Sequence, residues 1–327
     1  MLSGNKLKKS DLSFVVQGPI IQNVTSRVTQ SIRKYFNESV IIISTWPEQN
    51  LIGVEYDKLI INKDPGSFYR DDVNRILHNG NRQIVSTIEG LKAADTIFSV
   101  KIRSDIEFIN TNLLDLLEKA NTYQAYDSNW KFVKNRVLIT NVTSVNPNKV
   151  EKIPFCPCDW IYAGFTSDLI NIWSIPLFKE PEMTRWYETH SKPQTHPFPT
   201  SLALFQPEDF IWSSFIKKHR RINYNYLGDI SGDNIEQSER SLANNLIIFN
   251  NKQLGIKCTK HPDSYLSLYR MYTHSDWYNL YARYCLCKKT NKVGFDNILS
   301  KTAFLYEKIY LTLSQILRKI SRRILAG

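Results

Sequence analysis

Residues 96–107, TIFSVKIRSDIE, bring two cations and two acids to the end of one apolar run. Ile97, Phe98, Val100 and Ile102 have the β-rich character of a buried strand, and Lys101, Arg103, Asp105 and Glu107 close it. Charges at a buried strand end are costly unless something meets them. In an extended chain Asp105 and Glu107 would point the same way, two residues apart, and share one divalent cation. Arg103, and less strongly Lys101, would meet a phosphate. The other reading is an ion-paired strand end at the rim of a sheet, and from this segment alone ion pairing is the commoner outcome.

The neighbouring elements decide what such a strand end faces. Residues 12–19 (LSFVVQGP), 40–43 and 58–61 read as strands, and residues 25–35 and 81–94 read as helices. The helical stripes are Val28 and Ile32 in the first, and Ile84, Ile88 and Leu91 in the second. Strands alternating with helices at this spacing predict an α/β fold with a doubly wound, largely parallel sheet. Ligands in such folds sit beyond the carboxyl ends of the strands. Three strand ends deliver polar groups there: Gln17-Gly18, Ser44-Thr45-Trp46 and Asp64-Pro65-Gly66. With Arg103 and Asp105 they can converge on one crevice. The chain has no G-x-G-x-x-G after its first strand and no G-x-x-x-x-G-K-[ST], which disfavours dinucleotide oxidoreductases and P-loop NTPases.

The second half is less regular. Short helices are predicted at residues 112–120 and 169–173, with strand-like runs in 132–143 and a segment at 242–248 that reads as either helix or strand. Residues 176–207 hold Pro193, Pro197 and Pro199 and form a long loop of the lid or binding type. Pro207-Glu208-Asp209-Phe210 then opens a helix through Lys218, its acids in the first turn, where the dipole favours them.

Composition sets the class. The 327 residues are 42% hydrophobic and 22% charged, enough for a large folded core. The five cysteines include two C-x-C pairs, Cys156/Cys158 and Cys285/Cys287, which read as structural thiols because zinc sites usually use C-x2-C spacing. No apolar segment of signal length opens the chain and no run approaches the ~20 residues of a membrane span, so a cytosolic protein with reduced thiols is expected. Net charge is +11, and residues 298–327 carry six cations against Glu307. Ile298, Leu305, Ile309, Leu313, Ile316, Ile320 and Ile324 recur there at helical spacing, the cations largely off the stripe. That pattern suits an anionic membrane surface; a helix docked on its own domain is the alternative. No nucleic-acid-binding motif accompanies the charge, which argues against a nucleic-acid partner.

Seven motifs stand in order along the chain: FVVQGPI, IIISTWP, NKDPG, NRQIVSTIEGL, VKIRSDIEF, DWIYAG and PEDFIW. Over roughly residues 12–230 the chain thereby resembles the WavE family of bacterial lipopolysaccharide and surface-polysaccharide synthesis, which looks like a glycosyltransferase family of GT-A fold. The resemblance implies a GT-A-like domain over 1–285, with a donor-binding half to about residue 150, an acceptor half from 151, and a basic amphipathic tail at 286–327. It implies a nucleotide-sugar donor, a lipid-linked or oligosaccharide acceptor of the lipopolysaccharide or capsule type, and an enzyme peripheral to the inner membrane. Asp105, and less surely Glu107, would hold Mn2+ or Mg2+ in place of a D-x-D site, with His261 or His274 a further ligand. Gln17, Gly18, Pro19, Thr45 and Trp46 would line the base and ribose pocket, Trp46 serving equally well as a core aromatic. Asp64 would bind ribose or cap its turn. Arg82, Arg103 and Lys101 would face the diphosphate. The catalytic base would be Asp209 or Glu208, with Asp159 the third choice. A phosphotransferase passing a sugar- or polyol-phosphate would use the same groups.

Overall fold

The computed structural model describes residues 6–258 and 269–288. In chain order its elements are β1 (Leu12–Gln17), α1 (Thr25–Tyr35), β2 (Val40–Thr45), β3 (Lys58–Ile61), β4 (Phe68–Asp71), β5 (Ile76–His78), α2 (Gly80–Lys92), β6 (Phe98–Arg103), β7 (Ile106–Phe108) and α3 (Asn112–Ala120). They continue with β8 (Val137–Thr140), β9 (Ile161–Phe165), α4 (Thr166–Trp173), α5 (Pro207–His219), α6 (Asn234–Asn245), β10 (Leu246–Phe249), α7 (Asn251–Leu254), β11 (Ile256–Cys258) and α8 (His274–Tyr284). The amphipathic pattern of residues 298–327, and His261, lie outside the described residues.

Seven strands form the central sheet in the order β10-β8-β9-β6-β1-β2-β3. The pairs β3–β2, β2–β1, β1–β6 and β8–β10 are parallel, and β9 runs antiparallel to both β6 and β8. Six strands therefore share one direction, and the expected α/β class of a mostly parallel sheet flanked by helices is observed. The opposed strand β9, IYAGF, overlaps the DWIYAG segment, which the sequence left without a strand.

Alternation along β1 explains the two layers. Phe14 faces the α1 side, in an aromatic cluster with Phe36 and Phe108 whose ring centroids lie 4.9–5.3 Å apart. Val15 and Gln17 face α2. That helix comes very close: a Cβ on Gly90 would stand 2.4 Å from Val15 Cγ1 and 2.9 Å from Ser44 Cβ. Only a residue without a side chain permits this approach, which brings Arg82 and Gln83, two turns earlier, to the pocket rim. A single buried cluster joins residues of both halves, from Leu12 of β1 to Trp277 of α8.

Two short ribbons complete the fold: β7 with β11, and the hairpin β4–β5. The hairpin was not read from the sequence. The ambiguous 242–248 segment is both things at once, α6 running directly into β10 at Leu246. Of the two C-x-C pairs, Cys156 and Cys158 are buried, as structural thiols should be, whereas Cys285 is half-buried and Cys287 is exposed, so the second pair does not fit that expectation.

Candidate functional site

A pocket of about 530 Å3 opens at the carboxyl ends of β1, β2, β3 and β6, a size suited to a small organic ligand. Gln17, Gly18 and Pro19 line it from the end of β1, and Trp46 from the end of β2. Asp64, Arg82, Arg103 and Asp105 complete the set that the sequence brought to this place. Local geometry explains the β1 turn. Gly18 sits at φ +110°, where a side chain would be strained, and its N–H donates to Ser44 O at 3.1 Å. Ser104 Oγ donates to Pro19 O at 2.7 Å, tying the turn after β6 to the turn after β1. Ser86 of α2 donates to Gln17 Oε1 at 2.8 Å and orients that amide.

The charges in the pocket are paired. Arg103 grips Asp105 through Nε to Oδ1 at 3.0 Å and Nη2 to Oδ2 at 2.7 Å, and its guanidinium lies 4.9 Å from the Trp160 ring centroid. Burial works against the charge on Arg103, but the Asp105 carboxylate outweighs it and raises the Arg103 pKa. Arg82 grips Asp64 through Nε at 2.8 Å and Nη2 at 2.5 Å. The Arg82 hydrogen bond holds Asp64 below the usual carboxylate range and in turn raises Arg82. A guanidinium has five N–H donors and each arginine gives its acid two, so both retain donors for an anionic ligand.

Four expected donor- or metal-site residues lie elsewhere. Thr45 is wholly buried in the sheet beneath Trp46 and does not line the pocket. Lys101, expected at the diphosphate, is wholly buried: its ammonium donates to Asp159 O and lies 4.6 Å from the Trp173 ring centroid. Burial lowers its pKa to about 8. Glu107 does not share a face with Asp105, because Ser104 and Asp105 form a turn and β7 leaves the sheet to pair with β11. Its carboxylate instead accepts from Arg27 Nε at 3.1 Å. His274 opens α8, its Nδ1–H donating to Ile248 O at 2.9 Å and its ring stacked on Phe249.

As placed, these residues do not fit a divalent-cation centre. Both Asp105 oxygens are engaged by Arg103, Glu107 faces Arg27, and His274 is held on β10. Among the described residues no three His, Cys, Asp or Glu side chains stand close enough to hold one ion.

Beside the pocket lies a second group of charges around Glu208. The two acids that open α5 have different fates. Asp209 is wholly buried; its Oδ1 accepts the Gln206 N–H at 2.7 Å as a capping box, and its Oδ2 accepts from Tyr224 OH at 3.0 Å. It is a structural acid, so its candidacy as the base is withdrawn. Glu208 keeps part of its surface exposed, yet protein encloses it densely enough that burial pushes its carboxyl up to about 7. The neighbouring Asp159 charge raises it further, and Arg70 and Arg103 pull it down. Asp159 is buried, and among the described residues its Oδ1 has no hydrogen-bond partner. Arg103 thus pairs with the pocket acid Asp105 and is also within electrostatic reach of Asp159 and Glu208.

Sequence reasoning missed Arg70, Asn79 and Gln83, the last two in the pocket lining. The signal was present in SFYRDDVNRILHNG, where apolar and aromatic residues flank an Asp- and Asn-rich turn.

A crevice lined by two paired arginines lies across the carboxyl ends of a mostly parallel α/β sheet, the place where folds of this class hold their ligands. The chain belongs to the WavE lipopolysaccharide synthesis family, whose model matches residues 12–320. The match runs well beyond the 12–230 expected from the motifs. No curated protein sequence matches the chain. One solved structure similar to it is a cytidylyltransferase from Leptospira borgpetersenii serovar Hardjo-bovis (strain JB197), at 12% identity and a TM-score of 0.29. That likeness covers 51% of this chain and 66% of the neighbour, so the chain spans just under two thirds of the neighbour's length. Among the described residues no helix is long and apolar enough to cross a membrane.

Proposed function

We propose that this protein is a glycosyltransferase that moves a sugar from a nucleotide-sugar donor to a lipopolysaccharide or capsule glycan. The observation that carries this reading is the arrangement around Arg103, which lines the strand-end pocket and also lies within electrostatic reach of Glu208. The pocket takes the nucleotide, with Trp46 beside the base and Arg82 and Arg103 against the diphosphate. Glu208 is the general base. An acceptor hydroxyl attacks the anomeric carbon, its proton passes to Glu208, and the bond from that carbon to the diphosphate oxygen breaks. A carboxyl titrating near neutral pH suits that task. The charge that develops on the departing diphosphate falls against the two guanidinium groups. Asp159 acts from behind by raising the basicity of Glu208.

The basic amphipathic pattern of residues 298–327 supports a position at the inner membrane surface, where a lipid-linked acceptor would be met. The test of the activity is a panel of nucleotide sugars with release of nucleoside diphosphate as the readout. Release of nucleoside diphosphate dependent on Glu208 supports the proposal. Release of nucleoside monophosphate would instead make the protein a phosphotransferase.

A further inference from the structure

Arg70 differs from the arginines of the pocket. In the hairpin, Tyr69 of β4 pairs with Leu77 of β5 and Asp71 pairs with Ile76, so Arg70 is the extra residue of a β-bulge. Bulges redirect a side chain out of the regular alternation and recur beside active sites. The Arg70 carbonyl accepts the Leu202 N–H at 2.6 Å, and its guanidinium lies 5.0 Å from the Phe198 ring centroid. The hairpin and the proline-rich loop therefore hold it between them.

The acids that could satisfy Arg70 are committed elsewhere or out of reach. Asp71 accepts from Asn74 N at 2.9 Å, Asn74 Nδ2 at 2.8 Å and Thr200 Oγ1. Asp72 pairs with Arg185. Glu208 attracts Arg70 electrostatically, but no ion pair forms between them. Among the described residues the Arg70 guanidinium makes no hydrogen bond and no ion pair, although protein covers much of it. A cation stripped of part of its water, with an aromatic face and unbonded carboxylates as its only compensation among the described residues, is held at a cost, and an anionic ligand would return what it lost. The buried Asp159 Oδ1 is an orphan of the opposite kind, an acceptor without a donor. Both stand around Glu208.

We infer that Arg70 binds an acidic group, phosphate or carboxylate, on the acceptor sugar while a hydroxyl of that sugar is presented to Glu208. The inference rests on the transferase reading of Glu208 and names the class of acceptor: an anionic sugar. The donor diphosphate is not the anion in question, because Arg82 and Arg103 line the strand-end pocket and Arg70 does not. A planar guanidinium also matches two oxygens of one carboxylate or phosphate, which an ammonium does not.

The experiment uses the purified full chain and ligand-observed NMR with three probes: glucuronate, glucose 6-phosphate and glucose. Wild type should bind at least one acidic probe about tenfold or more tightly than glucose. Whichever of the two binds better distinguishes a carboxylate from a phosphate. Arg70→Gln should lose the preference and Arg70→Lys should keep part of it. Equal binding of acidic and neutral probes by wild type overturns the inference, as does a preference that survives in Arg70→Gln. Nucleoside diphosphate binding is measured in parallel on the same proteins. Its loss from wild type would count against the transferase reading, whereas its persistence without acidic-sugar selectivity would count against Arg70 alone.

Discussion

Glu208 and Asp209 are adjacent acids with opposite uses, and helix geometry separates them. Successive residues on a helix point about 100° apart, so one faces Gln206 and Tyr224 while the other faces Arg70 and Arg103. Asp209→Ala removes the N3 carboxylate of the capping box, which accepts the Gln206 N–H, and leaves the buried Tyr224 hydroxyl without its acceptor, a loss of about 1–3 kcal/mol. Chemical denaturation should show that loss while turnover per folded molecule persists. Glu208→Gln should behave in the opposite way, with a wild-type melting temperature and turnover reduced by ~10²–10⁴-fold. A protonated carboxyl cannot accept a proton, so wild-type activity should fall as pH drops through about 7. Asp159→Asn removes a like charge beside Glu208, lowers its pKa and should move that limb to lower pH. A limb that stays in place in Asp159→Asn would separate the two acids.

Among the elements, α2 and the turn after β6 do most to shape the pocket. The helix reaches the sheet only because Gly90 lies against Val15 and Ser44. Gly90→Ala would overpack that contact, at a cost of about 1–3 kcal/mol, and lift Arg82 and Gln83 from the rim. Equilibrium unfolding should report the cost, and nucleotide titration should report weaker binding. The turn after β6 corrects the simplest reading of S-D-I-E. Alternation along an extended strand puts Asp105 and Glu107 on one face, but the strand stops at Arg103 and β7 starts anew with β11. The ion-paired strand end and the ligand-facing strand end turn out to be compatible, because Arg103 and Asp105 are paired and line the pocket together.

Across the molecule, the strand-end pocket comes from the first half and the Glu208–Asp159 pair from the second, with one buried cluster joining residues of both. Arg103 is the residue they share. The basic tail belongs to this scale as well, since its proposed role concerns where the enzyme sits. Deleting residues 298–327 removes six cations, each worth about 1 kcal/mol near an anionic surface. Cosedimentation with vesicles containing anionic lipid should be lost on deletion, with turnover on a soluble acceptor retained. Undiminished sedimentation of the truncated chain would defeat the anchor.

The amino-acid pattern alone carried most of the sheet. Apolar runs ending in polar clusters located β1, β2, β3 and β6, and helical stripes located α1 and α2, because burial of one face imposes those periods on the residues themselves. From that followed the class of fold and the convergence of Gln17, Trp46, Asp64, Arg103 and Asp105, to which the family resemblance added Arg82. Residue order could not say which acid of a neighbouring pair joins a capping box, that the Lys101 ammonium donates to Asp159 O, or that Arg70 sits on a bulge within electrostatic reach of Glu208. Those outcomes depend on groups far apart in the chain, such as Asp209 with Tyr224 and Arg70 with Phe198, which meet only after the core has closed.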